Sequence, residues 1–496
     1  MGEKIGWFGE KASFFFSALF SLMVVVQAGT TVCRGGVYAL VSLAGLLGAA
    51  ALVWLGLCFL KPSRGFPVVL FALRFALALC VILVFGAVPV QDFQTMYGAA
   101  CQMAQGSRGY LQNDYFYNWA YQTGFVAYEA LVVKVFGPGL LPLQLLNALW
   151  MAGTGCLVYA IARRFLSEPA AMTASLLYAL YPAPYFLAAV LTNQHIAAFF
   201  YYLGIWLLVR QKKLARRWAA LAGLCLAVGN LMRPLGAVVI VALLCWTLVR
   251  MLRWKGKGLL WVGAPLLAAG VAYFAATELF GWVVQATGMN PEGLTNNLPL
   301  WKFVLGLNLD SSGAWNQADY NAYYLLPRDQ APAAMEQVVG ERLSSLGLGG
   351  LLELFWKKSQ AMWGSLEYLY WGFGHLNGEA PVLGSVTLAQ CLNALNYLDR
   401  GIFLLAFLLA GGASALWLWK GAGEGARLPV MLCFLLCGYY GAHLFIEVQP
   451  RYRYFLMPVV FLLAGVGAQA LWGWWKARGK PGKVPGKIRE ESENPS

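Results

Sequence analysis

Long apolar runs separated by short polar breaks organise this chain almost from end to end. Twelve runs of 16 to 24 residues can be drawn, at 13–33, 37–60, 67–89, 140–162, 169–190, 193–210, 217–232, 234–251, 258–281, 399–420, 428–447 and 454–475. About twenty apolar residues cross a bilayer as a helix. The pattern therefore predicts an all-α polytopic membrane protein with about 12 transmembrane helices. The two short runs flanking Asn230–Pro234 fit that length least well.

Two polar segments break the series. In 91–139, Thr95, Met96, Ala99, Ala100 and Met103 share one face at helical spacing, as in a helix lying along the membrane interface. Gly106 and Gly109 end it. A second amphipathic piece, Tyr117 to Phe136, carries Gln122, Glu129 and Lys134 and is too polar to span. The other segment, 282–396, is too long for a structureless loop. It is expected to fold as a small lid or subdomain with an amphipathic helix through Glu336–Leu352. The expected organisation is 1–90 (N-terminal helices), 91–139 (first loop with interfacial helices), 140–281 (central helices), 282–396 (lid), 397–475 (C-terminal helices) and 476–496 (tail).

Composition agrees: 60% of residues are hydrophobic and 12% charged, against about 25% charged in ordinary soluble domains. The net charge of +14 would point to nucleic acid in a soluble protein, but its placement reads as topology. Lys and Arg crowd into short breaks such as Lys61–Arg64, Arg163–Arg164, Arg210–Arg217 and Arg250–Lys257, and into the C-terminal end. Segment 282–396 holds five of them against nine Asp and Glu. The positive-inside rule then places both termini in the cytoplasm, and 91–139 and 282–396 on the extracytoplasmic side. No nucleic-acid partner is expected. Lys4 and Lys11 precede the first run, but no A-x-A site follows it, so a retained helix is expected. The end, "GKPGKVPGKIREESENPS", reads as a disordered cytoplasmic tail. Cys101 and Cys391 fall in the outer segments and could pair, though no CxxC or zinc spacing occurs. Asp310 and Asp319 fit no EF-hand spacing.

Polar groups then gather at one end of the helices. Asp92, in "VPVQDFQTMYGAA", stands four residues after Val88, where an apolar run ends. It can cap an interfacial helix or act as a base. "LTNQHIAA" brings Asn193 and His195, "GNLMRPLG" brings Arg233, and "HLFIEVQPRYRYFLMP" brings His443, Glu447, Arg451 and Arg453. Charge inside a bilayer costs about 3 kcal/mol on insertion scales, so this concentration points to a water-accessible cavity. Arg451 and Arg453 can snorkel or bind phosphate through bidentate contacts. Glu447 reads as the partner of a nearby arginine, and His195 and His443 as satisfied interface residues.

These motifs, in this order, resemble the GT-C superfamily of membrane glycosyltransferases. The groups most similar are bacterial enzymes related to protein O-mannosyltransferases and to the lipid A aminoarabinose transferase. The resemblance rests on "QDFQTMYGAACQMAQG", "YQTGFVAYEALVVKVFG", "YAIARRF", "LYALYPAPYFLAAVLTNQH", "GNLMRP" and the closing "EVQPRYRYFLMP". It implies an inverting glycosyltransferase in a bacterial plasma membrane that works on the extracytoplasmic side. The donor would be a polyprenyl-phosphate sugar, and the acceptor a lipid, glycan or protein hydroxyl. Asp92 takes the role of general base, and Arg451 and Arg453 that of donor-phosphate ligands. Tyr97, Tyr121, Asn193, His195, Arg233 and Glu447 are further candidates for substrate contact. Relatives with an acidic pair in the first motif contrast with Asp92–Phe93 here. No cofactor is therefore expected; a divalent metal stays open but is not favoured. The competing class is a transporter or a lipid-linked-glycan flippase. A transporter would show similar halves and midplane sites. A flippase would want cations along the whole path, where Arg74 stands almost alone.

Overall fold

The computed structural model of the protein describes residues 2–210, 215–253, 263–366, 373, 376–421 and 427–478. Helices form nearly all of it: α1 (Gly2–Cys33), α2 (Tyr38–Phe59), α3 (Phe66–Phe85), α4 (Asp92–Ala104), α5 (Asp114–Asn118), α6 (Thr123–Phe136), α7 (Leu140–Ala162), α8 (Glu168–Ala179), α9 (Ala183–Ala189), α10 (Gln194–Val209), α11 (Arg216–Met232), α12 (Gly236–Arg253), α13 (Ala264–Ala286), α14 (Trp301–Gly306), α15 (Gln317–Asp319), α16 (Ala331–Ser359), α17 (Leu388–Lys420), α18 (Arg427–Phe445) and α19 (Met457–Arg478). One two-stranded antiparallel hairpin, β1 (Pro381–Leu383) and β2 (Val386–Thr387), precedes α17.

Every expected apolar run is mostly helical over its described residues. Nine helices are long and apolar enough to cross a membrane among the described residues, and this is an integral membrane protein. The remaining runs explain the gap to twelve. Helix α10 is a shorter apolar helix, α11 has 17 residues, and the run at 169–190 is split into α8 and α9. Pro182 has no amide to continue the ladder. A break inside a membrane is tolerated only where protein re-satisfies the backbone. Here Arg74 of α3 donates to the Tyr178 carbonyl at 2.9 Å and lies 4.2 Å from that tyrosine's ring centroid. On the other side of the break, Asp399 of α17 accepts from the Ala183 amide at 3.2 Å. Arg74, the deep arginine singled out in the sequence, is thus committed to a helix end.

Bundle packing relies on small residues where helices cross, as expected without a strong hydrophobic force between helices in lipid. Helix α17 packs on α1, α2 and α19. A Cβ added at Gly401 would stand 2.1 Å from the Ser42 carbonyl oxygen of α2. Helix α17 also runs eleven residues further than its apolar stretch, started by a capping box in which Thr387 and Gln390 exchange bonds. Cys101 and Cys391 are both free thiols.

Helices α4 and α6 fall on the two amphipathic pieces expected in the first loop, the second starting at Thr123 and not at Tyr117, and they are joined through short turns and α5. The 282–396 segment folds around its own small core, in which Leu298, Trp301, Val304 and Leu305 pack on Ala331, Met335 and Val338, with Trp119 of the first loop added. The tail reading falls, from residue 479 on, outside the described residues. So do residues 367–372 and 374–375, which hold most of the aromatic string "YLYWGFGH".

Candidate functional site

Where α3, α11, α13 and α18 end, a cavity of about 1740 Å³ opens between the bundle, the first loop and the 282–396 segment. Asp92, Tyr121, Asn193, Arg233, Glu447 and Arg451 all line it. Six residues that the sequence scatters over 360 positions therefore share one chamber.

Asp92 is the first residue of α4. The residue before it, Gln91, holds φ 50° and ψ −127°, a backbone state that costs a non-glycine residue about 1–3 kcal/mol. No side-chain cap is made at this helix start. Among the described residues the Asp92 carboxylate has no hydrogen bond or ion pair, and it is exposed to the cavity. Three phenols line the same chamber. Burial first, and then the Asp92 charge, push the Tyr115 hydroxyl well above the usual tyrosine range. Burial also lifts Tyr121 to about 12, with Lys302 and Arg233 opposing and Asp92 adding to the rise. Tyr324 is raised mainly by burial, again with Asp92 contributing. All three stay neutral donors beside one carboxylate.

Facing this group is a chain of polar contacts. Lys302 of α14 donates to Glu447 at 2.5 Å. Gln449 donates to the other oxygen of that carboxylate at 2.6 Å, and Arg451 Nε donates to Gln449 at 2.6 Å. Gln449 itself sits in extended backbone, φ −144° and ψ 148°, just before the turn that carries Arg451. Burial alone would raise the Glu447 carboxyl, but Lys302, Gln449 and Arg451 together hold it below the usual range. Burial likewise opposes charge on Lys302, and Glu447 overrides it and lifts the ammonium. A depressed carboxyl contributes stability that is fully present above about pH 4.5 and is lost only as pH falls through its lower folded value. The pair therefore stays ionised throughout the neutral range. Arg233 completes the arc, donating to Asn193 at 3.2 Å and lying 5.2 Å from the Tyr452 ring.

Three expected contacts lie elsewhere. Arg453 donates to the carbonyls of Met362, Trp363 and Ser365 at 3.0 to 3.2 Å and is not among the cavity residues. The reason is local: Pro450–Leu456 is a 3₁₀ helix, where three residues make a turn, so residues 451 and 453 point about 120° apart. His195 is turned from the cavity onto the Tyr454 hydroxyl, at 2.7 Å, while its neighbour Asn193 faces in. Tyr97 is five positions along α4 from Asp92, on another face, and donates to the Pro138 carbonyl at 2.8 Å. Asp319 is held by Arg342 and Asn308.

Sequence reasoning missed Lys302, Tyr115 and Tyr324. It paired Glu447 with an arginine, whereas its ion-pair partner is Lys302, a residue 145 positions earlier. The only signal was a single lysine inside the apolar "LPLWKFVLG". It missed Lys358 as well. This buried side chain of α16 donates to the carbonyls of Gly306, at the end of α14, and Ile446, at 2.6 and 2.8 Å. It thereby fixes the two backbones that carry Lys302 and Glu447. Burial pulls its ammonium down to about 7, against the pull of Glu447. Lys358→Met orphans two carbonyls and is expected to cost on the order of 2 kcal/mol, read as a lower melting temperature. A folded value below that of the unfolded chain gives stability that is present above about pH 10.5 and lost as pH falls toward 7. The gap between wild type and this variant should therefore widen as pH rises across that window.

Among the described residues, no group of three or more His, Cys, Asp or Glu side chains is placed to hold a metal ion. The cavity instead combines one unengaged carboxylate, a cationic arc and an apolar flank. That flank comes from Ala227 and Leu231 of α11, Val238 of α12 and Phe280 of α13.

Residues 125–275 match the family model described as dolichyl-phosphate-mannose-protein mannosyltransferase. Over that stretch the resemblance to GT-C membrane glycosyltransferases is borne out. The match takes in α7 to α12 and the cavity residues Asn193 and Arg233, and reaches neither Asp92 nor Arg451. No curated protein is similar enough in sequence to count as a relative. Among solved structures, the apo oligosaccharyltransferase of Archaeoglobus fulgidus aligns with a TM-score of 0.44 at 11% identity, over 84% of this chain and 52% of that one. The chain thus spans about half the length of that protein.

Proposed function

We propose that this membrane protein is an inverting glycosyltransferase. It moves a sugar from a polyprenyl-phosphate donor to an acceptor hydroxyl, in a cavity on the extracytoplasmic side. The observation that carries this reading is the cavity itself: an unengaged carboxylate, Asp92, lines the same chamber as Arg451 and Arg233, and that chamber has an apolar flank. A prenyl tail fits along α11, α12 and α13, and the donor phosphate fits against the two arginines, where charge-assisted contacts are strong. Asp92 takes the proton of the acceptor hydroxyl as that oxygen attacks the anomeric carbon. The bond to the phosphate oxygen breaks, and the arginines offset the charge left on the prenyl phosphate. A single displacement inverts the anomeric centre. The 282–396 segment covers the chamber and limits competing attack by water.

Arg453 is given a positioning role, gripping the 362–365 backbone. The extracytoplasmic assignment rests on the basic residues gathered at the opposite helix ends. A flippase reading gains nothing from Arg74, which is engaged at the α8–α9 break.

Mass spectrometry of membrane lipids and glycans, with and without the protein, tests the activity. Loss of the protein should leave a prenyl-phosphate sugar unused and one glycan product missing. Unchanged profiles would reject transfer. Arg451→Ala should weaken donor-lipid binding roughly 10- to 100-fold, the worth of a hydrogen bond to a charged group. An unaltered dissociation constant would remove Arg451 from the phosphate site.

A further inference from the structure

Helix α16 changes character at Gly347, whose φ of 53° and ψ of −171° kink it. Before the kink, Ala331, Met335 and Val338 bury their face in the small core described above. After it, the outward residues are the apolar ones. Leu348, Leu352 and Trp356 are 76%, 60% and 52% exposed, and a spacing of four sets them in one stripe on successive turns. Leu354 and Lys358, on the other side, are buried. Next to the stripe, Glu353 and Lys357 form an ion pair at 2.8 Å with both side chains exposed. A helix with water on its outer face shows the reverse arrangement, and this half-helix is too short to span a bilayer.

Its position says what covers the stripe. Gln27, in the last two turns of α1, donates to the Trp356 carbonyl at 3.0 Å. The Phe355 ring meets Phe445, the last residue of α18, edge-on at 5.3 Å. The half-helix therefore sits at the level where these spans leave the bundle. Leu22 and Val26 of α1 are exposed apolar residues just below, so the stripe continues a lipid-facing surface.

We propose that residues 348–359 form an interfacial helix seated on the same bilayer that the bundle spans. Leu348, Leu352 and Trp356 enter the acyl boundary, and Glu353 and Lys357 stand at headgroup level, the arrangement that suits an amphipathic helix lying in the interface plane. The membrane surface thereby holds the covering segment at a fixed height. Because Lys358 projects from the opposite face onto the Gly306 and Ile446 carbonyls, that height is transmitted to Lys302 and Glu447.

The test uses full-length protein in lipid nanodiscs, with a spin label attached through a genetically encoded keto amino acid. Labels go one at a time at positions 348, 352 and 356, and at 336 and 353 as water-facing controls. All five side chains are exposed, so the label displaces no packed group. Collisions with oxygen should exceed those with a water-soluble nickel chelate at 348, 352 and 356, and the order should reverse at 336 and 353. Nickel access at all five positions would place the stripe in water and overturn the proposal. Closure of the stripe to both reagents would mean that protein, a second copy or a partner, covers it, and would overturn it equally.

Discussion

An Asp92→Asn protein is expected to fold, insert and bind donor lipid while losing sugar transfer by about 10²- to 10⁴-fold, the range typical of a positioned general base. Asparagine keeps the size and shape of the side chain and removes its ability to accept a proton. Because Asp92 makes no hydrogen bond or ion pair among the described residues, the substitution breaks no structural contact. Melting temperature and donor affinity should therefore stay near wild type while the single-turnover rate collapses. The strained Gln91 backbone, which presents residue 92 to the chamber, is untouched. A transfer rate within a few-fold of wild type would end the assignment of Asp92 as base. A parallel fall in donor affinity would recast it as a binding residue.

Glu447→Gln should be the most destabilising single change at the site. Removing one partner of a fully buried ion pair costs about 3–5 kcal/mol, and because the Lys302 side chain is 35% exposed to the chamber, water screens part of the loss and the cost is expected at the low end, about 3 kcal/mol. Lys302 is the charge left behind, and Glu447 is the main group that favours its ammonium against burial. The polar chain through Gln449 to Arg451 would also lose its anchor. Removing both charges, in Glu447→Gln with Lys302→Met, should recover part of the lost stability without recovering activity. A single variant as stable as wild type, or a double variant no better than the single, would show that the pair is not the keystone of this wall.

How legible the molecule was depended on the range of the determining interaction. Spans were readable because each is written in its own twenty or so residues, and Asp92 because a charge just beyond an apolar run is conspicuous. The split at Pro182 was read through as one helix, since what makes it tolerable is Arg74 and Asp399, about a hundred and two hundred residues away. "RYRY" has the look of a period-two pattern. Only the 3₁₀ winding that follows Gln449 separates Arg451 from Arg453. Lys302 could not be assigned a partner, because its pairing with Glu447 exists only once α14 has docked beside the end of α18. Helical periodicity likewise located α16 but not its kink, which depends on the backbone of one glycine among several.

The two walls of the chamber are joined unequally. Deep inside, the first loop and the covering segment share backbone bonds, Tyr121 to Thr295 and Asn297 to Asn118, at 3.0 and 3.1 Å. At the rim they meet through Asp114 and Arg328, an ion pair at 2.5 Å whose two side chains are both more than half exposed. Such a pair is worth about 0–1 kcal/mol and weakens as salt rises. The mouth is thus fastened at its exposed edge by little more than thermal energy, while the Trp119 ring, packed into the core of the covering segment, holds the two walls together further in.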